Sequence, residues 1–248
     1  MDFLYILLLF VVGTVAGFTN VMAGGGSALS LPVLIFMGLD SALANGTNRV
    51  AICIQNIIAI WGFRQQEVSQ FRESFRLAVF TLPGGALGAW AAVQMNDVWF
   101  QRVLAVVMVG IVISMLLPKF QQKETVVLTQ RRVWLSYLAM FGIGFYGGFI
   151  QVGVGFLLMA VLYHVLNLSL VHVNMHKVFI VFIYTLPAIA VFIATGNVNW
   201  SLGLSLAAGN AAGGWIGSYA TVKGGEKIIR YVLIVGITLM AIKLLNIF

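Results

Sequence analysis

The chain has 248 residues, of which 61% are hydrophobic and only 8% are Asp, Glu, Lys or Arg, and its mean hydropathy is +1.01. A soluble domain of this length needs more polar surface, so the composition excludes that class and indicates an all-α, polytopic transmembrane helix bundle. The net charge of +7 does not indicate nucleic-acid binding, because the basic residues cluster in short loops between apolar runs.

Ten apolar segments follow one another along the chain, five on each side of a polar stretch that ends at Arg132. We predict that each is a transmembrane helix or part of one. They cover residues 3–23, 27–39, 42–63, 75–95, 98–117, 133–152, 154–167, 170–195, 198–222 and 228–247. The polar stretch divides the chain into a first transmembrane repeat (1–118), a cytoplasmic linker (119–132) and a second transmembrane repeat (133–248).

The second and seventh segments are shorter than the roughly 20 residues that a helix needs to cross a bilayer. Each begins at a glycine cluster, Gly24–Gly26 in the first half and Gly153-Val154-Gly155 in the second. Adjacent glycines weaken a helix by up to about 1 kcal/mol each relative to alanine, so we expect helix breaks there, recessed into the membrane. The pattern leaves open whether these short segments cross the bilayer or re-enter it.

The two halves also repeat each other, since an offset of 129 residues carries Gly26 onto Gly155 and Asn45 onto Asn174. Basic loops at 64–76, 119–132 and 223–230 are predicted to be cytoplasmic, whereas 96–97 and 196–199 lack Lys and Arg and are predicted to face outward. These constraints give five segments per half and place both termini on the outer side. The repeats are therefore predicted to be inverted relative to each other, with the short helices near the membrane midplane.

Arg49 is predicted near the middle of the membrane. It follows Asp40 by nine residues, which at 1.5 Å per residue places it roughly 13 Å into an apolar layer about 30 Å thick. Lys177 is predicted at a similar depth in the second half, and none of the seven acidic residues is predicted at that depth. We expect a bound anion to supply the missing counter-charge. Snorkelling or carboxylate pairing of the arginine, and a neutral lysine amine, stay open as alternatives.

Polar side chains and glycines close to these two cations form the predicted substrate-binding site. Broken helices suit an anion because they expose backbone N–H groups at a positive helix N-terminus. The predicted site residues are Gly24, Gly25, Gly26, Ser27, Asn45, Thr47, Asn48, Arg49, Gln55, Gln151, Gly153, Gly155, Asn174, His176 and Lys177.

No group of His, Cys, Asp and Glu in the sequence has the spacing of a metal site, and no nucleophile or phosphate-loop motif occurs. We therefore predict no metal, no cofactor and no enzymatic activity. His172 and His176 lie one helical turn apart, and two roles stay open for them: hydrogen-bonded packing or a proton-linked switch.

The run G-F-T-N-V-M-A-G-G-G-S-A-L-S-L-P at 17–32, followed by A-N-G-T-N-R at 44–49, resembles the sulfite exporter TauE/SafE family. The second copy departs from the family pattern, because Val154 and Val161 replace glycine and proline and Met175-His176-Lys177 replaces G-T-S. The resemblance covers essentially the whole chain. It implies a multi-pass protein of the bacterial cytoplasmic (inner) membrane that transports small sulfur-containing anions, often outward.

These observations together predict a secondary transporter or permease that exports sulfite, thiosulfate, sulfoacetate or another organosulfonate. An interior-negative potential favours outward movement of an anion by about 2.3 kcal/mol per charge per 100 mV. A passive anion channel and a non-transporting membrane subunit are the alternatives. The expected partners are the anion and the lipid bilayer, without nucleic acid, and a homodimer stays open as the assembly.

Overall fold

The computed structural model describes residues 3–116, 130–164 and 168–244, which form ten α-helices and no strand within these ranges. The predicted linker at 119–132 lies outside the described residues except for its last three, which belong to the first helix of the second half. The helices are α1 Phe3–Met22, α2 Ser27–Phe36, α3 Ser41–Gln65, α4 Phe71–Val79, α5 Leu82–Gln94, α6 Asp97–Leu116, α7 Gln130–Phe149, α8 Val154–His164, α9 Leu170–Ala194 and α10 Trp200–Leu244.

Helix breaks occur at both glycine clusters, as the sequence predicts. Gly24 has a φ of +89° and Gly153 a φ of +76°, values in the left-handed region that glycine adopts without a steric penalty. The helices that follow, α2 and α8, have only 10 and 11 residues, or about 15 Å and 17 Å of length. Each half therefore contains a short helix whose N-terminus follows a glycine break.

Two other segment boundaries differ from the prediction. The segment 75–95 is divided into α4 and α5, which are bent by 52°, just before Pro83, whose backbone offers no N–H to continue a helix. The segments 198–222 and 228–247 were expected to be separate and joined by a basic loop, but residues 200–244 form the single 45-residue helix α10. Gly224 and Gly225 lower helix propensity without forbidding a helix, because no proline accompanies them.

Polar side chains are buried in the bundle together with an apolar core, and many large apolar side chains are exposed on its outside. Arg49 is fully buried and Lys177 is 2% exposed, whereas Leu4, Val106 and Leu138 are each about 70% exposed. By length and hydropathy, two of the described helices, α1 and α9, qualify to cross a membrane, and the bent pair α4–α5 qualifies as a third span. An apolar exterior around a polar interior is the arrangement expected of a protein whose solvent is lipid.

The two halves pack on each other reciprocally. α1 runs along α10, α5 runs along α7, and α3 contacts α9 in the centre. Glycines permit this close approach, since a Cβ at Gly17 would overlap the backbone of Asn210 and a Cβ at Gly88 would overlap that of Phe145. The first helix of each half thus packs on the later part of the other half. The inversion of the repeats stays a prediction, which this reciprocal packing supports.

The start of α3 is fixed by a residue of another helix. Asp97, the first residue of α6, accepts a hydrogen bond at 2.6 Å from the backbone N–H of Ser41. The first N–H groups of a helix have no partner within it, so this carboxylate satisfies one of them and complements the positive helix end. The start of α3 is thereby held at a defined position against α6, within the first half.

Candidate functional site

Arg49 lies in the middle of α3 and contacts the second half of the chain. Its Nη1 donates to Oε1 of Gln151 at 2.9 Å, and its Nη2 donates to Oδ1 of Asn45 at 3.3 Å and to the carbonyl oxygen of Gly148. The guanidinium also lies 5.0 Å from the ring centroid of Phe192, within cation–π range, while its Nε has no hydrogen-bond partner. All of these partners are neutral.

These contacts cap the end of α7. Gly148 and Phe149 are its last residues. The last carbonyl groups of a helix receive no hydrogen bond from the helix itself, so they need partners from elsewhere. Asn45 donates to the carbonyl oxygen of Phe149 at 2.7 Å, beside the bond from Arg49 to Gly148. Because a helix C-terminus carries about −0.5 of an elementary charge, the cation is stabilised there. The polar stripe of α3 thus holds the end of α7 just before its glycine break.

Lys177 makes the corresponding contacts from α9 to the end of α1. Its Nζ donates to the carbonyl oxygen of Val21 at 2.8 Å and to Oδ1 of Asn174 at 2.6 Å. Asn174 in turn donates to the carbonyl oxygen of Met22, the last residue of α1, at 3.1 Å. Each half therefore supplies a buried cation and an asparagine that bind the broken helix of the other half.

This mutual capping corrects the sequence interpretation of the two cations. In the described part of the chain, the resident partners of both cations include carbonyl oxygens at helix ends, and not carboxylates, which were the only partners sought in the sequence. Snorkelling of Arg49 is excluded, because its side chain is fully buried. Among the described residues, both cations have oxygen partners before any ligand binds.

The two glycine breaks meet where the halves join. A Cβ placed on Gly24 would overlap the backbone of Gly155, and a Cβ on Gly155 would overlap that of Gly24. The predicted residues Gly25, Gly26, Ser27 and Gly153 are also buried around this contact. Close backbone contact of this kind is open only to glycine, so both clusters serve the join between the halves as well as the helix breaks.

A cavity of about 10 Å³ lies beside this contact, which is room for about one water molecule. Lys177 lines it, and so does Gln151, which also accepts the hydrogen bond from Arg49. Arg49 itself does not line it. The lining residues are Asn20, Asn56, Gln151, Val154, Gly155, Lys177, Val178 and Val181. Of the fifteen predicted site residues, the structure therefore brings Gln151, Gly155 and Lys177 to this cavity.

Two predicted residues of α3 serve other contacts. Thr47 Oγ1 accepts a hydrogen bond at 2.9 Å from the backbone N–H of Asn199, between α9 and α10. Asn48 Oδ1 accepts one at 2.7 Å from the hydroxyl of Ser30 in α2. These bonds attach α3 to its neighbours at a distance from the cavity lining.

The predicted histidine also faces another helix. His176 Nδ1 lies 2.7 Å from the hydroxyl of Ser74 in α4, and His172 Nδ1 lies 2.9 Å from the hydroxyl of Ser169. Neither histidine lines the cavity. Within the described ranges, no group of three or more His, Cys, Asp or Glu side chains could hold a metal ion.

Asn20 and Asn56 line the cavity although the sequence analysis did not place them in the site. Asn56 continues the polar face of α3 one residue beyond Gln55, so the helical period gave a signal for it. Asn20 lies about one turn before Gly24, inside the G-F-T-N stretch, and this position was its only signal. Both residues come from the first half, opposite Lys177 of the second.

Comparison with known proteins gives a consistent result. The sequence profile of the sulfite exporter TauE/SafE family matches residues 9–244. The chain is 27% identical over 244 residues to a probable membrane transporter protein of Haemophilus influenzae, which covers 96% of this chain and 93% of that protein. It is also 27% identical over 243 residues to the probable membrane transporter protein YfcA of Escherichia coli, over 96% and 88% of the two chains.

A relative in Bacillus subtilis, the probable membrane transporter protein YjnA, is 23% identical over 253 residues, with 97% of this chain and 98% of that protein covered. No solved structure gives a significant match. Since the profile spans both halves and both glycine breaks, the chain belongs to the sulfite exporter TauE/SafE family and is an integral membrane transporter protein.

Proposed function

We propose that the protein is a secondary transporter that exports a small sulfur-containing anion, such as sulfite, thiosulfate, sulfoacetate or another organosulfonate, across the bacterial cytoplasmic membrane. The observation that carries this proposal is the position of Lys177, a buried cation whose side chain lines a cavity between the two halves. Its hydrogen-bond partners, Val21 and Asn174, are neutral oxygens, so its charge stays available to an anion. A cation at this depth is costly, and an anion would offset that cost.

In this proposal the ligand binds where the halves meet. Lys177 neutralises the anion, and Gln151 and Gly155 border it from the broken helix of the second half. Other predicted residues maintain the framework: Asn45 and Arg49 hold the end of α7, and Gly24 packs against Gly155. Of the fifteen predicted site residues, the proposed ligand contacts are therefore those that line the cavity, Gln151, Gly155 and Lys177.

The cavity is too small for a sulfur oxyanion, since it holds about one water. The conformation is therefore a closed one, and binding requires the halves to separate at the contact between Gly24 and Gly155. Rocking of one repeat against the other around a central site is the usual mode of alternating access in transporters built from repeats. The glycine contact, which carries no interlocking side chains, suits such a movement.

The outward direction of transport follows from charge. Arg64, Arg72 and Arg76 are exposed around the turn between α3 and α4, which supports a cytoplasmic position for that end and an outer position for the N-terminus. The membrane potential then favours export of an anion by about 2.3 kcal/mol per charge per 100 mV. Proton coupling, if present, would have to use His172 or His176, because no acidic residue is predicted at the depth of Lys177.

The test is flux of labelled sulfite, thiosulfate and sulfoacetate into liposomes that contain the purified protein. We expect saturable uptake of at least one of these anions, faster when the lumen is positive and stimulated by unlabelled anion on the trans side. Protein-free liposomes give the background. Uptake without saturation or trans-stimulation would establish the channel alternative, and absence of flux and of anion-induced thermal stabilisation would contradict transport of this class.

A further inference from the structure

A chain of three side-chain amides leads from α1 to the cavity. Nδ2 of Asn20 donates to Oε1 of Gln55 at 3.2 Å, and Nε2 of Gln55 donates to Oδ1 of Asn56 at 3.5 Å, the long end of hydrogen-bond range. The side-chain oxygen of Gln55 accepts from Asn20, and that of Asn56 accepts from Gln55. The chain therefore ends on a donor, the Nδ2 group of Asn56.

That terminal donor has no partner. Asn56 is 1% exposed, it lines the cavity, and its Nδ2 makes no hydrogen bond. Buried polar groups are almost always paired, so an unpaired donor at a cavity wall requires an explanation. Lys177, a buried cation from the other half of the chain, lines the same cavity. Two residues with N–H donors, one from each half, thus line one small space.

The orientation of Asn56 is determined by its neighbour. Turning its amide over would place Nδ2 against the Nε2 group of Gln55, donor facing donor, and turning Gln55 over in response would break the bond from Asn20. The amide chain consequently keeps an N–H donor, and not an oxygen, directed away from Gln55. An oxygen in that place would repel an anion.

We propose that Asn56 is a direct ligand of the transported anion and that Asn20 and Gln55 are positioning residues that present its donor. This inference rests on the proposed function and makes its site more specific: the ligand is an oxyanion with two acceptor oxygens, one bound by Lys177 and one by Asn56. A halide, which has a single acceptor centre and no oxygens to share between two halves, fits this arrangement less well.

The primary test is Asn56→Asp in the full-length protein, measured as labelled sulfite uptake into liposomes and as sulfite-induced thermal stabilisation. The substitution keeps the oxygen that accepts from Gln55 and replaces the free donor by a second oxygen beside Lys177. We expect the KM for sulfite to rise at least tenfold and the thermal stabilisation by sulfite to disappear. An unchanged KM would overturn the role of Asn56.

Asn210→Asp is the matched control, because Asn210 is also 1% exposed, has an unpartnered amide oxygen and lies outside the cavity lining. We expect its KM to stay within twofold of the wild type. An equal rise in both variants would show a general cost of burying a carboxyl group and would overturn the inference. Should Asn56→Asp fail to elute as folded protein, Asn56→Ala removes the donor without adding a charge, and the same KM criterion applies.

Gln55→Glu separates positioning from binding. It removes the donor that holds the oxygen of Asn56, so the Asn56 amide is free to turn over and donate to the new carboxylate. We expect a raised KM for sulfite with a smaller change in maximal rate, and loss of the preference for sulfite over chloride in competition. Wild-type flux with unaltered competition in this variant would overturn the positioning role. Wild-type protein that shows neither flux nor stabilisation would instead overturn the proposed function itself.

Discussion

The two buried cations occupy comparable places in the two halves, yet their surroundings differ. Arg49 donates to three oxygens, lies over the ring of Phe192 and does not line the cavity. Lys177 donates to two oxygens, with Met159 Sδ at 3.9 Å as a further weak contact, and borders the cavity. The first cation packs between the halves, and the second lines the cavity in which we propose that the ligand binds.

The difference follows from the chemistry of the two side chains. A guanidinium is planar and has five donors in a fixed fork, so it can join a helix end, an asparagine and a glutamine at once. An ammonium is a compact charge with three donors; two of them bond to oxygens and the third has only the weak acceptor Met159 Sδ, which a ligand oxygen can replace. A repeated framework with different cations can therefore assign stability to one half and ligand binding to the other.

Replacing Arg49 should give the largest loss of stability. Arg49→Met leaves the carbonyl of Gly148 and the oxygens of Asn45 and Gln151 without their charged donor, and each buried unpaired group costs about 1–3 kcal/mol. Three such groups cost about 3–9 kcal/mol, so we expect a Tm lower by at least about 6 °C, using roughly 2–4 °C per kcal/mol for a chain of this size. Thermal unfolding in detergent, followed by size-exclusion chromatography, measures this.

Arg102→Met is the control for Arg49→Met, because Arg102 is exposed and contacts only the face of Trp99 in the described structure, at 5.0 Å. A cation–π contact at an exposed site contributes about 0.5–1 kcal/mol, so its Tm should fall by a few degrees at most. Equal Tm values for the two variants would remove the distinction between the cations. Full transport by Arg49→Met would remove Arg49 from the mechanism.

Replacing Lys177 should abolish transport with a smaller effect on stability. Lys177→Met keeps an unbranched side chain, one atom shorter, and removes the charge of a residue that lines the cavity. A hydrogen bond to a charged group contributes about 1.5–3 kcal/mol, which corresponds to at least a tenfold loss of anion affinity. Sulfite flux and sulfite-induced thermal stabilisation are the measurements. If Lys177→Met transports normally while Arg49→Met is folded and inactive, the roles of the two cations are reversed.

The contact between the glycine breaks gives a third way to test the comparison. In Gly155→Ala the new Cβ overlaps the backbone of Gly24, so the halves must move apart, and overpacking of this kind costs about 1–3 kcal/mol. We expect a Tm lower by roughly 3–10 °C and slower flux. Gly142→Ala is the control, because a Cβ there meets nothing within 4 Å and alanine favours the helix. A Tm equal to that of the control would contradict a tight join at Gly155.

The sequence predicted those parts of the fold that depend on local propensity. The breaks after α1 and α7 follow from clustered glycines, and the structure confirms them at Gly24 and Gly153. The same reasoning failed at Gly224 and Gly225, where two glycines and several charges suggested a loop but α10 is continuous. Clustered glycines weaken the helix in both places, and tertiary contacts decide whether it breaks or continues. At Gly24 the partner is the backbone of Gly155, a contact that one sequence does not reveal.

The site was predicted only as far as helical periodicity allows. The polar stripes of α3 and α9 are visible in the sequence, and the structure buries both, with Asn45 and Asn174 in corresponding contacts. Their partners are backbone carbonyls at the ends of α7 and α1, and every residue has a carbonyl, so no residue type marks these acceptors. For the same reason the sequence could not distinguish Arg49, bound to such carbonyls, from Lys177 at the cavity.

The smallest effect is expected one residue away from Lys177. His176 bonds to Ser74 of α4 and does not line the cavity. A substitution at position 176 should therefore affect transport much less than one at position 177. His176→Gln preserves a polar group that can bond to the Ser74 hydroxyl, and we expect sulfite flux within about twofold of the wild type, since one neutral hydrogen bond contributes about 0.5–1.5 kcal/mol. Flux measured from pH 5.5 to 8.5 checks this, with His172→Gln alongside. If His176→Gln instead abolishes a pH dependence that both the wild type and His172→Gln show, His176 carries the coupled proton, and the functional part of α9 extends from the cavity wall to the α4 interface.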